Sequence, residues 1–107
     1  MIKKWRIIIF GSRTFDDYDF LKKKCDFMLQ KIVKGNNVEI EIVNGECDGP
    51  DKMGGDYGEE RGYKVKSMPA DWSNLGKSAG YLRNKDMAIY ASEPGYIGGA
   101  IGFWDGK

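Results

Sequence analysis

The sequence predicts an α/β domain with a parallel sheet of about four strands and helices on both faces. Three observations predict it. Short apolar segments alternate with longer segments of helical periodicity, giving the order β-α-β-α-β-α-β, which points to parallel strands joined by right-handed crossovers. The first segment contains Ile7-Ile8-Ile9-Phe10, an unbroken apolar run typical of a central strand covered on both sides. The unusual residues follow the strands, whereas plain turn residues follow the helices.

Each element has a local cause. Residues 5–10 form the first strand, which Gly11-Ser12-Arg13-Thr14 breaks. Asp16 or Asp17 can then cap a helix, with Phe15 as an apolar staple ahead of it. Leu21, Cys25, Met28, Leu29, Ile32 and Val33 recur at helical spacing. Lys22, Lys23 and Lys24 fall largely between these core positions and read as a solvated flank, not a binding patch. Gly35 ends the helix in a left-handed conformation.

Val38, Ile40 and Ile42 alternate with Glu39 and Glu41, a second strand with one face less buried. Pro50 suits the first turn of the next helix, residues 50–61, and Gly62 closes it. Gly54, Gly55 and Gly58 each cost that helix up to about 1 kcal/mol relative to alanine, so it must pack closely on the sheet. Residues 63–68 alternate as an edge strand, 69–76 read as loop, and 78–90 as the third helix. Leu82, Met87 and Ala88 are its expected buried positions. Residues 98–104 give a small, apolar fourth strand in which Trp104 is expected in the core. The order 3-2-1-4 makes this a Rossmann-like three-layer domain whose first and last strands meet at a topological switch point.

Residues 1–107 are expected to form a single domain. The formal charge is +1, without the basic excess that drives non-specific nucleic-acid binding. No apolar run reaches the length of a membrane span, and no signal peptide is evident. Cys25 and Cys47 sit far apart and read as reduced thiols, consistent with a cytoplasmic protein. The chain has no histidine, which excludes a Ser-His-Asp triad, a Cys-His pair and a histidine-bound metal.

The chemistry collects after the strands, where fifteen glycines are interleaved with Asp, Arg, Trp and Asn. Gly11, Ser12 and Arg13 can offer backbone N–H groups, a hydroxyl and a guanidinium to a phosphate. Asn44-Gly45-Glu46-Cys47-Asp48-Gly49-Pro50-Asp51 leads into a helix N-terminus, an anion site by its unpaired N–H groups and dipole. Its acids, Glu46, Asp48 and Asp51, would repel a phosphate placed on them. They suit ribose hydroxyls, or Mg²⁺ between themselves and the phosphate, and Asp48 or Asp51 can equally just cap the helix. Lys77 and Arg83 could clamp anionic oxygens, beside Asn84, and Trp72 could stack on a base. Alternatively, Trp72 covers the sheet edge and Arg83 pairs with Asp71 or Asp86.

These residues also carry a resemblance. Gly11-Ser12-Arg13-Thr14-Phe15 with Asp17-Tyr18, the 44–51 segment, Glu59-Glu60-Arg61-Gly62, Pro69-Ala70-Asp71-Trp72, Gly76-Lys77-Ser78-Ala79-Gly80, Leu82-Arg83-Asn84 and Gly102-Phe103-Trp104-Asp105-Gly106 occur in this order. The ordered set resembles the YspA/cpYpsA-related branch of the SLOG superfamily, common in bacteria and their phages, and covers nearly the whole chain. The resemblance implies a Rossmann-like fold and a nucleotide or nucleotide-derived ligand. By position it implies a site at Gly11, Ser12 and Arg13, at Gly45, Asp48, Gly49 and Asp51, and at Arg83 with Asn84. Such proteins usually continue past Trp-Asp-Gly into a turn and a last helix, whereas here the sequence ends at Lys107, as in a shortened version. The Pro-Gly-Gly-x-Gly-Thr-x-x-Glu signature of phosphoribohydrolase relatives is missing.

Three functions follow as expectations. The first is binding or sensing of a phosphate- and ribose-bearing small molecule. The second is hydrolysis of a nucleotide N-glycosidic bond, with Asp51 as the catalytic carboxylate. The third is a phage or bacterial partner-binding protein with a vestigial site. An exposed sheet edge suggests a homodimer, by analogy with relatives.

Overall fold

The computed structural model describes residues 2–12, 14–33, 37–45, 49–70 and 72–104, with the backbone alone at 72 and 77. The elements are β1 (Lys3–Gly11), α1 (Tyr18–Val33), β2 (Val38–Asn44), α2 (Pro50–Arg61), β3 (Lys64–Ser67), α3 (Trp72–Leu75), a 3-10 turn at Gly76–Ser78, α4 (Ala79–Ala91) and β4 (Ile97–Phe103). The four strands are parallel in the order β3-β2-β1-β4, the Rossmann-like topology the sequence predicts. β1 is central and β3 and β4 are the edges.

Alternation along β1 divides the molecule into layers. Ile7 and Ile9 point to the side covered by α1 and α2, where they join Leu21, Cys25, Leu29, Ile42 and Tyr57 in the main core. Ile8 and Phe10 point to the side of α4, where with Asn84, Met87 and Ala100 they line a cavity of about 230 Å³. α1 starts as expected, since Asp17 Oδ1 accepts the Phe20 N–H at 3.0 Å. The glycines of α2 have the predicted cause. A Cβ at Gly54 would stand 2.8 Å from Ile9 Cβ, and one at Gly58 would stand 2.6 Å from Val65 Cγ2. Gly62 closes α2 with φ 77°, the left-handed conformation that favours glycine. Gly35 lies outside the described residues.

Three local expectations are corrected, and one buried charge is added. The stretch before α4 is not all loop, because α3 and the 3-10 turn occupy 72–78. Ser78 Oγ there donates to the Leu75 carbonyl at 2.8 Å. In α4 the buried residues are Ala79, Met87 and Ala91, and Leu82 and Ala88 are exposed. The helix touches the sheet along one narrow line, so only one residue in about four is covered. Trp104 is 63% exposed, its ring T-shaped to that of Phe10 with centroids 6.1 Å apart, because no element covers that side of β4 among the described residues. Arg6, inside the apolar first strand, is buried.

Arg6 stands opposite Glu41 in the β1–β2 register. Its Nε donates to Glu41 Oε1 at 2.9 Å, and Nη1 donates to the Tyr90 carbonyl and to Glu93. The guanidinium is stacked between the Tyr90 and Tyr96 rings, 3.6 and 3.4 Å from their centroids. This polar knot ties the end of α4 and the turn after it to the sheet. Among the described residues no helix is long and apolar enough to cross a membrane.

Candidate functional site

A parallel sheet brings all its strand ends to one rim, and here that rim carries Gly11, Asn44–Gly45, Ser67 and Phe103. α2 begins on the same rim. Gly11 is required where β1, β4 and α2 meet. A Cβ there would lie 1.9 Å from the Phe103 carbonyl oxygen and 2.9 Å from Pro50 Cγ, at φ 155°. Ser12 then turns over the end of β4, its N–H donating to the Phe103 carbonyl at 3.0 Å. Phe15 N–H donates back to the Ser12 carbonyl at 3.1 Å, and the Ser12 and Thr14 hydroxyls are 2.9 Å apart. The first loop is thus a tight turn held against the last strand.

The second loop is held from both sides at Gly45. Its N–H donates to Asp51 Oδ2 at 3.2 Å, and its carbonyl accepts from Arg83 Nη1 at 2.6 Å. A Cβ on Gly45 would stand 2.0 Å from Arg83 Nη1 and 2.8 Å from Asp51 Oδ2. The absence of a side chain is what lets a cation from α4 and a carboxylate from α2 close on one peptide unit. Asp51 is 5% exposed. Its position in the first turn of α2 places a negative charge at the positive end of the helix dipole. It does not act through a side-chain cap at Gly49, where no side chain exists. Arg83 Nε donates to Asn84 Oδ1 at 2.8 Å, which fixes the guanidinium plane. Asp71, one of the two alternative partners expected for Arg83, lies outside the described residues.

The rim therefore brings together Gly11, Ser12, Gly45, Gly49, Asp51, Arg83 and Asn84. Arg13, Glu46 and Asp48 lie outside the described residues, as does Cys47. Trp72 and Lys77 are placed by backbone only, in α3 and the 3-10 turn after β3. Among the described residues no group of three or more Cys, Asp or Glu could hold a metal ion. The Mg²⁺ expectation rests on Glu46 and Asp48 together with Asp51, so two of its three carboxylates fall outside the description.

Sequence reasoning placed Asn44 at the head of the second loop and gave it no role of its own. It ends β2 with 2% exposure, its carbonyl accepting the Met68 N–H at 2.8 Å and its Nδ2 donating to Ser67 Oγ at 3.4 Å. It joins the ends of β2 and β3. It also borders a groove of about 400 Å³ along α2, lined by Lys52, Gly55, Asp56, Glu59, Val65 and Ser67 as well. A polar residue closing an apolar strand was the available signal.

The thiol is inert. Cys25 is free and fully buried in the core, and burial, with Asp26 adding to it, pushes its pKa up to about 12. It is no nucleophile.

No curated protein and no solved structure matches the chain. A family model does, over residues 5–74. The match takes in β1 to β3, the tight first turn, Gly45 and Asp51, and stops before Arg83 and Asn84. It spans more than half of the chain, which belongs to the YspA, cpYpsA-related SLOG family.

Proposed function

We propose that this protein binds a nucleotide or nucleotide-derived small molecule, bearing phosphate and ribose, at the carboxyl ends of its strands. One observation carries the reading: Asp51 of α2 and Arg83 of α4 close on the Gly45 peptide, on the rim that also holds the Gly11–Ser12 turn. Family membership is consistent with nucleotide-related binding in general. Phosphate is assigned to Gly11, Ser12, Arg13 and the start of α2, with Arg83 and Lys77 adding positive charge. Glu46 and Asp48 are assigned to ribose hydroxyls or to a Mg²⁺ that accompanies the nucleotide. Trp72 is assigned to the base, and Asn84 to holding Arg83. Asp51, with one oxygen already taken by the Gly45 N–H, positions the loop, which supports binding over hydrolysis.

The test is a thermal-shift screen of nucleoside mono-, di- and triphosphates and cyclic nucleotides on the wild-type chain and on Arg83→Ala. A ligand present at about one hundred times its Kd stabilises by about 2.7 kcal/mol. That shift is expected for wild type and lost in Arg83→Ala. A flat screen overturns the reading. Release of free base from a nucleoside monophosphate, abolished in Asp51→Asn, would give the buried carboxylate a catalytic role instead.

Two further parts of the reading concern assembly and setting. β4 is an edge strand with no charged residue from Ile97 to Phe103, the kind of edge that pairs with another strand unless it is protected. This supports a homodimer paired through β4, which light scattering of wild type against Ala100→Lys, an exposed position of that strand, checks. The buried free thiol of Cys25 supports a cytoplasmic setting.

A further inference from the structure

α1 turns a second patterned face to solvent. Its buried residues are Leu21, Cys25 and Leu29. Opposite them, at positions i, i+3, i+4, i+7, i+8 and i+11, stand Phe20, Lys23, Lys24, Phe27, Met28 and Lys31, all exposed. At 100° per residue these six share one face of the helix. Phe20, Phe27 and Met28 are 50%, 53% and 39% exposed. The two acids of the helix stand aside from this face. Asp26 is turned to α2, bonded to Arg61 at 2.9 and 2.7 Å and to the Tyr57 hydroxyl at 2.7 Å. Asp19, seven residues earlier, lies on the same flank.

Solvation explains the lysines, of which the sequence alone reads Lys23 and Lys24 as a flank. It does not explain two phenylalanines and a methionine in register among them. Single exposed apolar side chains are ordinary, whereas an apolar strip rimmed by charge marks an interaction surface. We propose that this face of α1 docks an acidic protein segment. The segment would lay apolar side chains against Phe20, Phe27 and Met28 while its carboxylates reach Lys23, Lys24 and Lys31.

The charge of the face calls for an anionic partner, and the ring geometry selects which kind. Lys31 Nζ lies over the Phe27 ring, 4.5 Å from its centroid, so a nucleobase cannot stack there without displacing it. The Phe20 ring rests against Phe15 and Phe103, at centroid distances of 6.3 and 6.2 Å. It is anchored to the body of the protein and does not project as a side chain inserted into a bilayer does. The strip is firm and shallow, with its two rings about 10 Å apart along the axis. An apolar-plus-carboxylate protein surface matches it. The Phe20 end adjoins the loop that carries Ser12, because Phe15 N–H bonds the Ser12 carbonyl. A partner bound there would lie next to the strand-end rim.

The experiment is selection of random 15-residue peptides displayed on phage against the immobilised full chain, then fluorescence polarisation with the selected peptides. The expected result is enrichment of peptides with several Glu or Asp around two apolar residues. Their affinity should fall roughly tenfold or more, about 1.4 kcal/mol, in Lys24→Glu/Lys31→Glu and separately in Phe27→Ser. It should stay unchanged in Lys85→Glu, an exposed charge reversal on α4. Melting temperatures of the variants confirm folding. Selection of neutral or basic peptides overturns the proposal, as does binding insensitive to both α1 variants. So does equal or tighter binding of phosphatidylserine vesicles or of a 15-residue oligothymidylate. Self-association that Phe27→Ser abolishes also overturns it, by making a second copy the occupant.

Discussion

At position 6 a guanidinium lies inside the protein, 7% exposed, between two tyrosine rings and two carboxylates. Burial works against its charge, and Glu93 and Glu41 outweigh burial and hold its pKa above the ordinary arginine value. Removing Arg6 leaves the Glu41 carboxylate largely buried without a counter-charge, held only by the Tyr90 hydroxyl at 2.8 Å among the described residues. Arg6→Met is expected to destabilise by about 3 kcal/mol in urea unfolding. Adding Glu41→Gln should return part of that loss, since the stranded charge goes with it. Asp26 sets a pH effect. Its hydrogen bonds from Arg61 hold its pKa below the usual carboxylate value, against burial, and Tyr57 adds to the lowering. A lowered folded pKa gives stability that is present above the unfolded value of about 3.9 and lost as pH falls through the folded one. The melting-temperature gap between wild type and Asp26→Asn should therefore be constant at neutral pH and close below about pH 4. The thiol of Cys25 should resist iodoacetamide in the native protein and react once urea unfolds it, which mass spectrometry of the Cys25 peptide can follow.

Among the elements, α2 was the one whose composition contradicts its secondary structure. Alanine at Gly54 or Gly58 would gain about 1 kcal/mol of helix propensity. The new methyl would meet Ile9 at 2.8 Å in the first case and Val65 at 2.6 Å in the second, inside a close-packed core. Overpacking of this kind costs about 1–3 kcal/mol, so both substitutions are expected to destabilise despite the better propensity, as chemical denaturation would show. α4 teaches the converse. Its sequence carries apolar residues on several sides, and periodicity placed Leu82 and Ala88 inside. The sheet instead covers only the line of Ala79, Met87 and Ala91. The turn of helix at Trp72–Leu75 was missed because four residues are too few for periodicity to declare itself.

For the whole molecule, the strand-end rim is where function is expected, and Gly45 is its most demanding position. Gly45→Ala would place a methyl 2.0 Å from Arg83 Nη1. It should abolish any nucleotide-induced thermal shift, while displacing Arg83 toward solvent costs stability less than the core substitutions above. A Gly45→Ala protein that keeps the full shift would separate the Arg83 clamp from binding. Much of this rim was legible beforehand. Gly11, Gly45 and Asp51 announce themselves as breaks after apolar runs, and a parallel sheet gathers such breaks on one edge. What could not be read was the pairing of Gly45 with Arg83, thirty-eight residues away, or the closure of β2 on β3 by Asn44.

The order of strands and helices, the rim on which the glycine loops gather and the close packing of α2 follow from the chain itself. Alternation, helical spacing and turn chemistry are properties of neighbouring residues. The burial of Arg6, the exposure of Trp104 and the strip of Phe20 and Phe27 among lysines were decided only in three dimensions. Each depends on what another segment places, or fails to place, against that side chain. Periodicity states which way a residue faces along its own element, and only packing states what it meets there.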